Sequence, residues 1–253
     1  MATSHIDDPY SDRVIAHAAT QIFAAHNDVI SIGVDCYRQL CSMLANKEYS
    51  PGAPEEIVFA LSARVLDLTA TTLRSLGHGS VPSAKILIRA VIEAIYKIVA
   101  VQLNADNINQ FFDDDTASQL GKNKKILEYK KAKKSKSVAK GVEKKVEALA
   151  AQKVQKIDPP EWATRAGMQD FHHLFYPWLS SDVHGNASAL DHYFNSEADH
   201  VLEIGPGDLD LRLTCVALAR SLLVLVQALD TPHHETAEWR QAIEQRLMTL
   251  EVQ

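Results

Sequence analysis

The chain has 253 residues, of which 46 % are hydrophobic and 23 % charged, and a net charge of −6. That length allows one large domain with a sizeable core, and that balance excludes a disordered or collagen-like chain. The start, MATSHIDDPYSDR, has neither a basic stretch nor an apolar run, so no secretory signal is expected.

A first long helix is expected from about Ser11 to Ala45. Ile15, Ala18, Ile22, Val29, Gly33, Tyr37, Leu40 and Leu44 recur mostly at three- and four-residue steps, with one gap at His26. Ser11 is the expected cap, with Asp12 in the first turn. KEYSPGAP stops this helix, because two prolines and a glycine cannot continue it. A second helix runs from about Pro54 to Leu76, with Glu55 and Glu56 at its positive end. GHGSVP ends it, and Ser80 or Pro82 starts the next.

That next stretch, PSAKILIRAVIEAIYKIVAVQL over 82–103, organises the chain. Its charges fall at Lys85, Arg89, Glu93 and Lys97, every fourth residue, and so form one ridge on a helix that is otherwise almost wholly Ile, Leu, Val and Ala. A helix apolar around most of its circumference belongs in a core, and its ridge must meet solvent, a partner or a buried site. The stretch 211–229 is similarly apolar. Each carries Arg or Lys at mid-helix, which a bilayer centre penalises, so both are expected as core helices and no transmembrane segment is expected.

Beyond Asn104 the chain reads as helical to about Gly121 and then helical again. Residues 122–156 hold thirteen Lys against Glu128, Glu143 and Glu147, a local balance of +10 that leaves −16 for the remainder. Val138, Val142, Val146, Leu149 and Ile157 form a thin apolar seam through 123–157, so a protruding lysine-rich helical arm is expected. Its lysines present either a solvated face or a contact for nucleic acid, with Lys124, Lys125, Lys133 and Lys134 as candidate substrate-binding residues. Aromatic interleaving is sparse, which argues against base stacking on the arm.

Asp158-Pro159-Pro160 is a hard break. A helix-rich stretch leads to FHHLFYPWLSSDVHGNASALDHYF, with a helix terminus expected at Gly185-Asn186. HVLEIGPGD has room for one short strand, and nothing else reads as β. An apolar helix over 208–230 and an amphipathic one over 235–252 close the chain. The expectation is one all-α domain: a core bundle from 11–121 and 161–230, the arm over 122–157, and the terminal helix. Cys36, Cys41 and Cys215 have neither zinc-site nor redox-pair spacing and are expected as buried, reduced thiols of a cytoplasmic protein.

Candidate chemistry concentrates in YPWLSSDVHG. Tyr176, Ser180 and His184 lie four apart and share a helix face, and Ser181 neighbours His184. Tyr176 and His184 read either as core residues with satisfied polar ends or as a site, with Ser181 and Asp182 as candidate substrate contacts. Arg89 and Glu93, an i, i+4 pair on a mostly buried helix, need polar partners, and the Ser/Asp/His end of another core helix would supply them. Metal ligation is not expected. His184, His192 and His200 are eight apart with Gly185-Asn186 between them, whereas helical ligands need i, i+3 or i+4 spacing. No cofactor motif is present either: GPGD lacks the glycine spacing of a dinucleotide site.

IRAVIEAIYKI followed some eighty residues later by FYPWLSSDVHGN resembles a bacterial family catalogued as a domain of unknown function, number 5677, over roughly residues 55 to 230. Its members show an R-x-x-x-E helix and a Y-x-x-x-S-x-x-x-H segment. That family is similar in turn to the HEPN helical domains, many of them dimeric RNA-cleaving toxins or phage-defence effectors. The resemblance implies a HEPN-like multi-helix bundle with Arg89, Glu93, Tyr176, Ser180 and His184 at its characteristic positions. The HEPN ribonuclease motif proper, Arg followed by four to six residues and then His within one helix, is not met at His184. Arg165 and His172 match that spacing, but ten Arg and eleven His give about one such match by chance.

Two readings follow. In the first the protein is a metal-independent endoribonuclease or nucleotide-acting effector. His184 is its general acid or base and Arg89 neutralises phosphate, while Glu93 and Ser180 hold these two in place. In the second it is a non-catalytic binding or sensor domain, and Arg89, Glu93 and His184 form a structural polar cluster. The expected partners are RNA or a nucleotide, a protein of the same system, and a second copy in a homodimer.

Overall fold

The computed structural model describes residues 12–45, 54–132, 136–184, 194–195, 201–202, 210–230 and 235–251, with side chains for all of these except 130–139, 181–202 and 251. The protein is an all-α multi-helix bundle. Among the described residues the helices are α1 (Asp12–Ala45), α2 (Pro54–Gly77), α3 (Val81–Leu103), α4 (Asn107–Ala132), α5 (Lys136–Ala150), α6 (Pro159–Arg165), α7 (Gln169–His184), α8 (Leu211–Asp230) and α9 (Ala237–Glu251). Two short extended segments, β1 (Phe194–Asn195) and β2 (Val201–Leu202), pair antiparallel with Asn195 opposite Val201. The expected strand in HVLEIGPGD is β2; its partner β1 was not expected.

The gap at His26 is a physical break. His26 takes φ −129° and ψ 16° inside α1, so the helix bends there. α2 ends in a Schellman turn: Ser80 N–H donates to Ser75 O, Gly79 N–H donates to Leu76 O, and Gly79 sits at φ +72°. That left-handed position is one glycine occupies without a Cβ penalty. The turn aims α3 back antiparallel along α2.

α3 lies at the centre, flanked by α2, α6, α7 and α8. Ile88, Val91, Ile92, Ile95, Tyr96 and Ile98 are all fully buried, each large aliphatic contributing about 1.5–3 kcal/mol of burial. α8 is the second core helix, packed against α1 and α3. It is the one described helix long and apolar enough to cross a bilayer, and 67 % of that window is buried inside the bundle. Cys36 and Cys215 are buried, and burial pushes both thiols up to about 12; Cys41, expected to be buried too, is only partly so.

The arm differs from expectation. α4 runs unbroken through Gly121 to Ala132, because a lone glycine in a helix costs only about 1 kcal/mol and does not terminate it. α5 then folds back on α4 and ends at Ala150. Val142, Val146 and Leu149 are partly buried on α5, whereas Ile157 is off the helix altogether. It is a buried anchor after the arm, its N–H donating to Asp114 Oδ1 at 3.1 Å. Val138 lies outside the described side chains.

The hard break at Asp158-Pro159-Pro160 is also a helix start. Asp158 caps α6 by accepting Glu161 N–H, and the prolines occupy first-turn positions whose N–H groups would be unused. A second Schellman turn at Gly167, φ +67°, with Met168 N–H to Ala163 O, swings the chain into α7. α7 ends at His184, one residue before the expected terminus at Gly185-Asn186, which itself lies outside the described residues.

Candidate functional site

The ridge of α3 faces α6, α7 and the start of α8, so its charges are partnered within the molecule. Lys97, nearest the C-terminal end, donates to Asp114 Oδ2 on α4 at 3.0 Å and lies against the Phe111 and Trp162 rings. Asp114 also takes the Ile157 N–H. One carboxylate thereby ties α3, α4 and the segment returning from the arm together.

The centre of the ridge meets Tyr176. Arg89 Nε donates to Glu93 Oε1 at 3.1 Å and to the Tyr176 hydroxyl at 2.9 Å, and that hydroxyl donates to Glu93 Oε1 at 2.6 Å. These three residues close a triangle. The guanidinium also lies 4.9 Å from the Tyr176 ring centre, a cation–π distance. Burial, followed by the hydrogen bond to Glu93, pushes the phenol up to about 12, so it remains a neutral donor at physiological pH. The Arg89 side chain is 22 % exposed and that of Glu93 37 %. The cluster is therefore at an edge that solvent reaches.

Both hydrogen bonds of Arg89 leave from Nε. Its two amino groups have no partner among the described residues. A guanidinium fixed by Nε with its amino fork free is prearranged for bidentate contact with an oxyanion.

Two residues extend the cluster that the spacing argument passed over. His172, one turn before Tyr176 on α7, stacks on the Tyr176 ring at 4.5 Å and 23°, and its Nδ1 lies 3.3 Å from the Tyr96 hydroxyl. Its pKa lies below the ordinary histidine value, first through burial and then through the neighbouring His173. Tyr96 is fully buried and its phenol is pushed well up by desolvation. The signal was available: His172, Tyr176 and Ser180 continue one i, i+4 stripe, and Tyr96 stands three residues after Glu93.

At the N-terminal end of the ridge, the Lys85 side chain is only 3 % exposed; it donates to Asp210 Oδ2 at 2.8 Å and lies 4.4 Å from the Trp178 ring centre. Neither Trp178 nor Asp210 was anticipated as its partner.

The Ser180 hydroxyl donates to the Tyr176 carbonyl at 2.7 Å, within its own helix, so that proton positions neither Arg89 nor a histidine. Ser181, Asp182 and His184 belong to the last turn of α7 but their side chains lie outside those described. His184 stands two turns beyond Tyr176, about 12 Å along the helix axis. Lys124 and Lys125 are exposed on α4, and Lys133 and Lys134 lie outside the described residues. Arg165 and His172, the chance motif match, fall on different helices separated by the Gly167 turn. Arg165 is engaged with Glu161 and Asn107.

A cleft of about 690 Å³ lies elsewhere, lined mainly by apolar side chains such as Leu44, Val58, Phe59, Leu103 and Met168 and by no member of the ridge.

A family model described as "Family of unknown function (DUF5677)" matches residues 55–201. That is more than half of the chain, and the chain belongs to this family. The match runs from α2 to β2, stopping short of the 230 expected from the motifs, and includes Arg89, Glu93, Tyr176, Ser180 and His184. No curated protein and no solved structure matches the chain.

Proposed function

We propose that this member of the family is an RNA-acting, HEPN-like domain that holds a phosphate at Arg89 and cleaves, without metal, by proton transfer at His184. One observation carries the reading: the Arg89 guanidinium is locked through Nε by Glu93 and Tyr176, while its amino groups have no partner among the described residues. An Arg held this way binds an oxyanion without first losing side-chain entropy. His184 closes the same helix that carries Tyr176. As general base it removes the ribose 2′-hydroxyl proton, and the 2′-oxygen attacks the adjacent phosphorus. The P–O5′ bond breaks and the 5′-oxygen takes a proton from the imidazolium, leaving a cyclic phosphate and a 5′-hydroxyl. Exposed Lys122, Lys124, Lys125, Lys140, Lys144 and Lys145 on α4 and α5 supply backbone affinity that does not depend on sequence. A toxin or antiviral role and a homodimeric assembly belong to the same proposal.

The test is incubation of the purified protein with total RNA and tRNA in the presence of a chelator, beside His184→Ala and Arg89→Ala, with melting curves for all three. The expected result is cleavage by the parent, lost in both variants without loss of folding. Cleavage that persists in His184→Ala sinks the assignment of that residue.

A second reading has its own observation. The triangle of Arg89, Glu93 and Tyr176 is closed on itself, which suits a polar staple between α3 and α7 in a non-catalytic binding or sensor domain. Absence of cleavage, with both variants destabilised, favours the staple.

A further inference from the structure

A side chain on a helix leans back toward the helix N-terminus. Tyr176 therefore lies over the turn that carries His172, and the two rings stack, 4.5 Å apart between centres and 23° from parallel. The imidazole is the wall on which the phenol rests. How far the phenol tilts decides where its hydroxyl sits. That hydroxyl accepts from Arg89 Nε at 2.9 Å and donates to Glu93 Oε1 at 2.6 Å, and the guanidinium lies 4.9 Å from the centre of the same ring.

The wall is itself tied down from the other helix. His172 is 8 % exposed, and its Nδ1 lies 3.3 Å from the hydroxyl of Tyr96, which is fully buried on α3. Desolvation keeps that phenol protonated, so it has a proton to place. Donating it to Nδ1 leaves the imidazole proton on Nε2 and avoids an unused buried donor. The Tyr96 and His172 rings also touch in a tilted contact, 5.8 Å between centres. α3 thus supplies Arg89 and Glu93, which bind the Tyr176 hydroxyl, and Tyr96, which fixes the ring against which Tyr176 stacks. The contacts run from α3 to α7 and back to α3 in a closed circuit.

We propose that His172 is a positioning residue of the Arg89 site: its ring, fixed by Tyr96, sets the tilt of Tyr176 and through it the direction of the Arg89 amino fork. The inference rests on the reading of Arg89 as a phosphate ligand and adds what aims it. The imidazole acts by shape and not by proton transfer. Another aromatic ring serves in its place, and a polar side chain without a ring does not. With the wall gone, Tyr176 gains rotamer freedom and its hold on Arg89 loosens, so a phosphate must order both side chains as it binds.

The experiment measures the affinity of the full chain for a fluorescein-labelled oligouridylate by anisotropy, with a melting curve for every variant. His172→Phe keeps a ring against Tyr176 and is expected to bind as the parent does, to about twofold. His172→Gln keeps an acceptor for the Tyr96 hydroxyl but no ring, and His172→Leu keeps neither. Both are expected to bind about fivefold more weakly, the size of one aromatic contact. In a Tyr176→Leu background nothing is left to aim, and adding His172→Gln should change affinity no further. Equal losses in His172→Phe and His172→Gln would make the imidazole nitrogens the active part and overturn the proposal. The same loss persisting in the Tyr176→Leu background would overturn it too. Parent affinity in His172→Gln and His172→Leu, while Arg89→Ala still abolishes binding, overturns the positioning role and leaves the Arg89 reading standing. Should His172→Leu fail to fold, the Phe and Gln variants decide alone. Failure of every form to bind overturns both readings.

Discussion

The Tyr176 hydroxyl stands between Arg89 and Glu93, accepting from Nε at 2.9 Å and donating to Oε1 at 2.6 Å. Tyr176→Phe keeps the ring that stacks on His172 and removes only this oxygen. The expected cost is about 1 kcal/mol of unfolding free energy, the size of one partly exposed hydrogen bond. Arg89, held then by Glu93 alone, should bind oligouridylate more weakly. Denaturant unfolding and anisotropy check the two effects separately, and unchanged values in both would remove Tyr176 from the site.

His172 gives the bundle a pH dependence with a definite sign. Its folded pKa lies below the ordinary histidine value of 6.5, chiefly through burial and then through His173. The unfolded chain therefore takes up the proton first as pH falls. Stability is full above pH 6.5 and declines as pH drops from there toward the folded value. Glu93 and Asp158 oppose the shift without reversing it. His172→Phe, which retains an aromatic ring against Tyr176, should flatten the melting midpoint over this window. A slope unaltered in that variant would place the titration on another group.

Asp114 is 6 % exposed and accepts both Lys97 Nζ and Ile157 N–H. Asp114→Ala leaves an ammonium and an amide without their partner, a change expected to cost about 3 kcal/mol. Because the same carboxylate joins α3 to both ends of the arm, amide exchange in α4 and α5 should accelerate more than in α8. Uniform acceleration through the bundle would show that the arm is not separately anchored.

Replacing the exposed Lys122, Lys124 and Lys125 by Gln should weaken binding of oligouridylate and of a mixed-sequence oligoribonucleotide by the same factor. The slope of log affinity against log salt should fall by about 2 if all three meet phosphates. A slope that does not change assigns these lysines to solvent.

Much of the architecture was legible in local pattern. The fourfold spacing of Lys85, Arg89, Glu93 and Lys97 marked both the central helix and its polar face, because helical period alone gathers such residues on one side. The gap at His26 marked the bend in α1. Gly121 misled: a glycine lowers helix propensity, but α4 continues through it to Ala132. The Tyr176, Ser180 and His184 stripe was followed forward and not back one turn, so His172 was missed although the same spacing reaches it. Ser180 was expected to help hold Arg89 and His184; its hydroxyl donates to the carbonyl four residues behind it, a local bond that needs no tertiary contact.

The sequence by itself determined the helical class, the buried place of α3 and the residue types on its ridge. These follow from periodicity and burial, which act over a few residues. Only the tertiary structure decided what each charge meets: Arg89 with Tyr176 across 87 residues, Lys97 with Asp114 across 17, Lys85 with Asp210 across 125. A charge in a low-dielectric interior must find a partner, but that requirement names no address. The turns at Gly79 and Gly167 supply it by setting α7 against α3, so the same ridge yields a locked arginine at one turn and a covered lysine at the next.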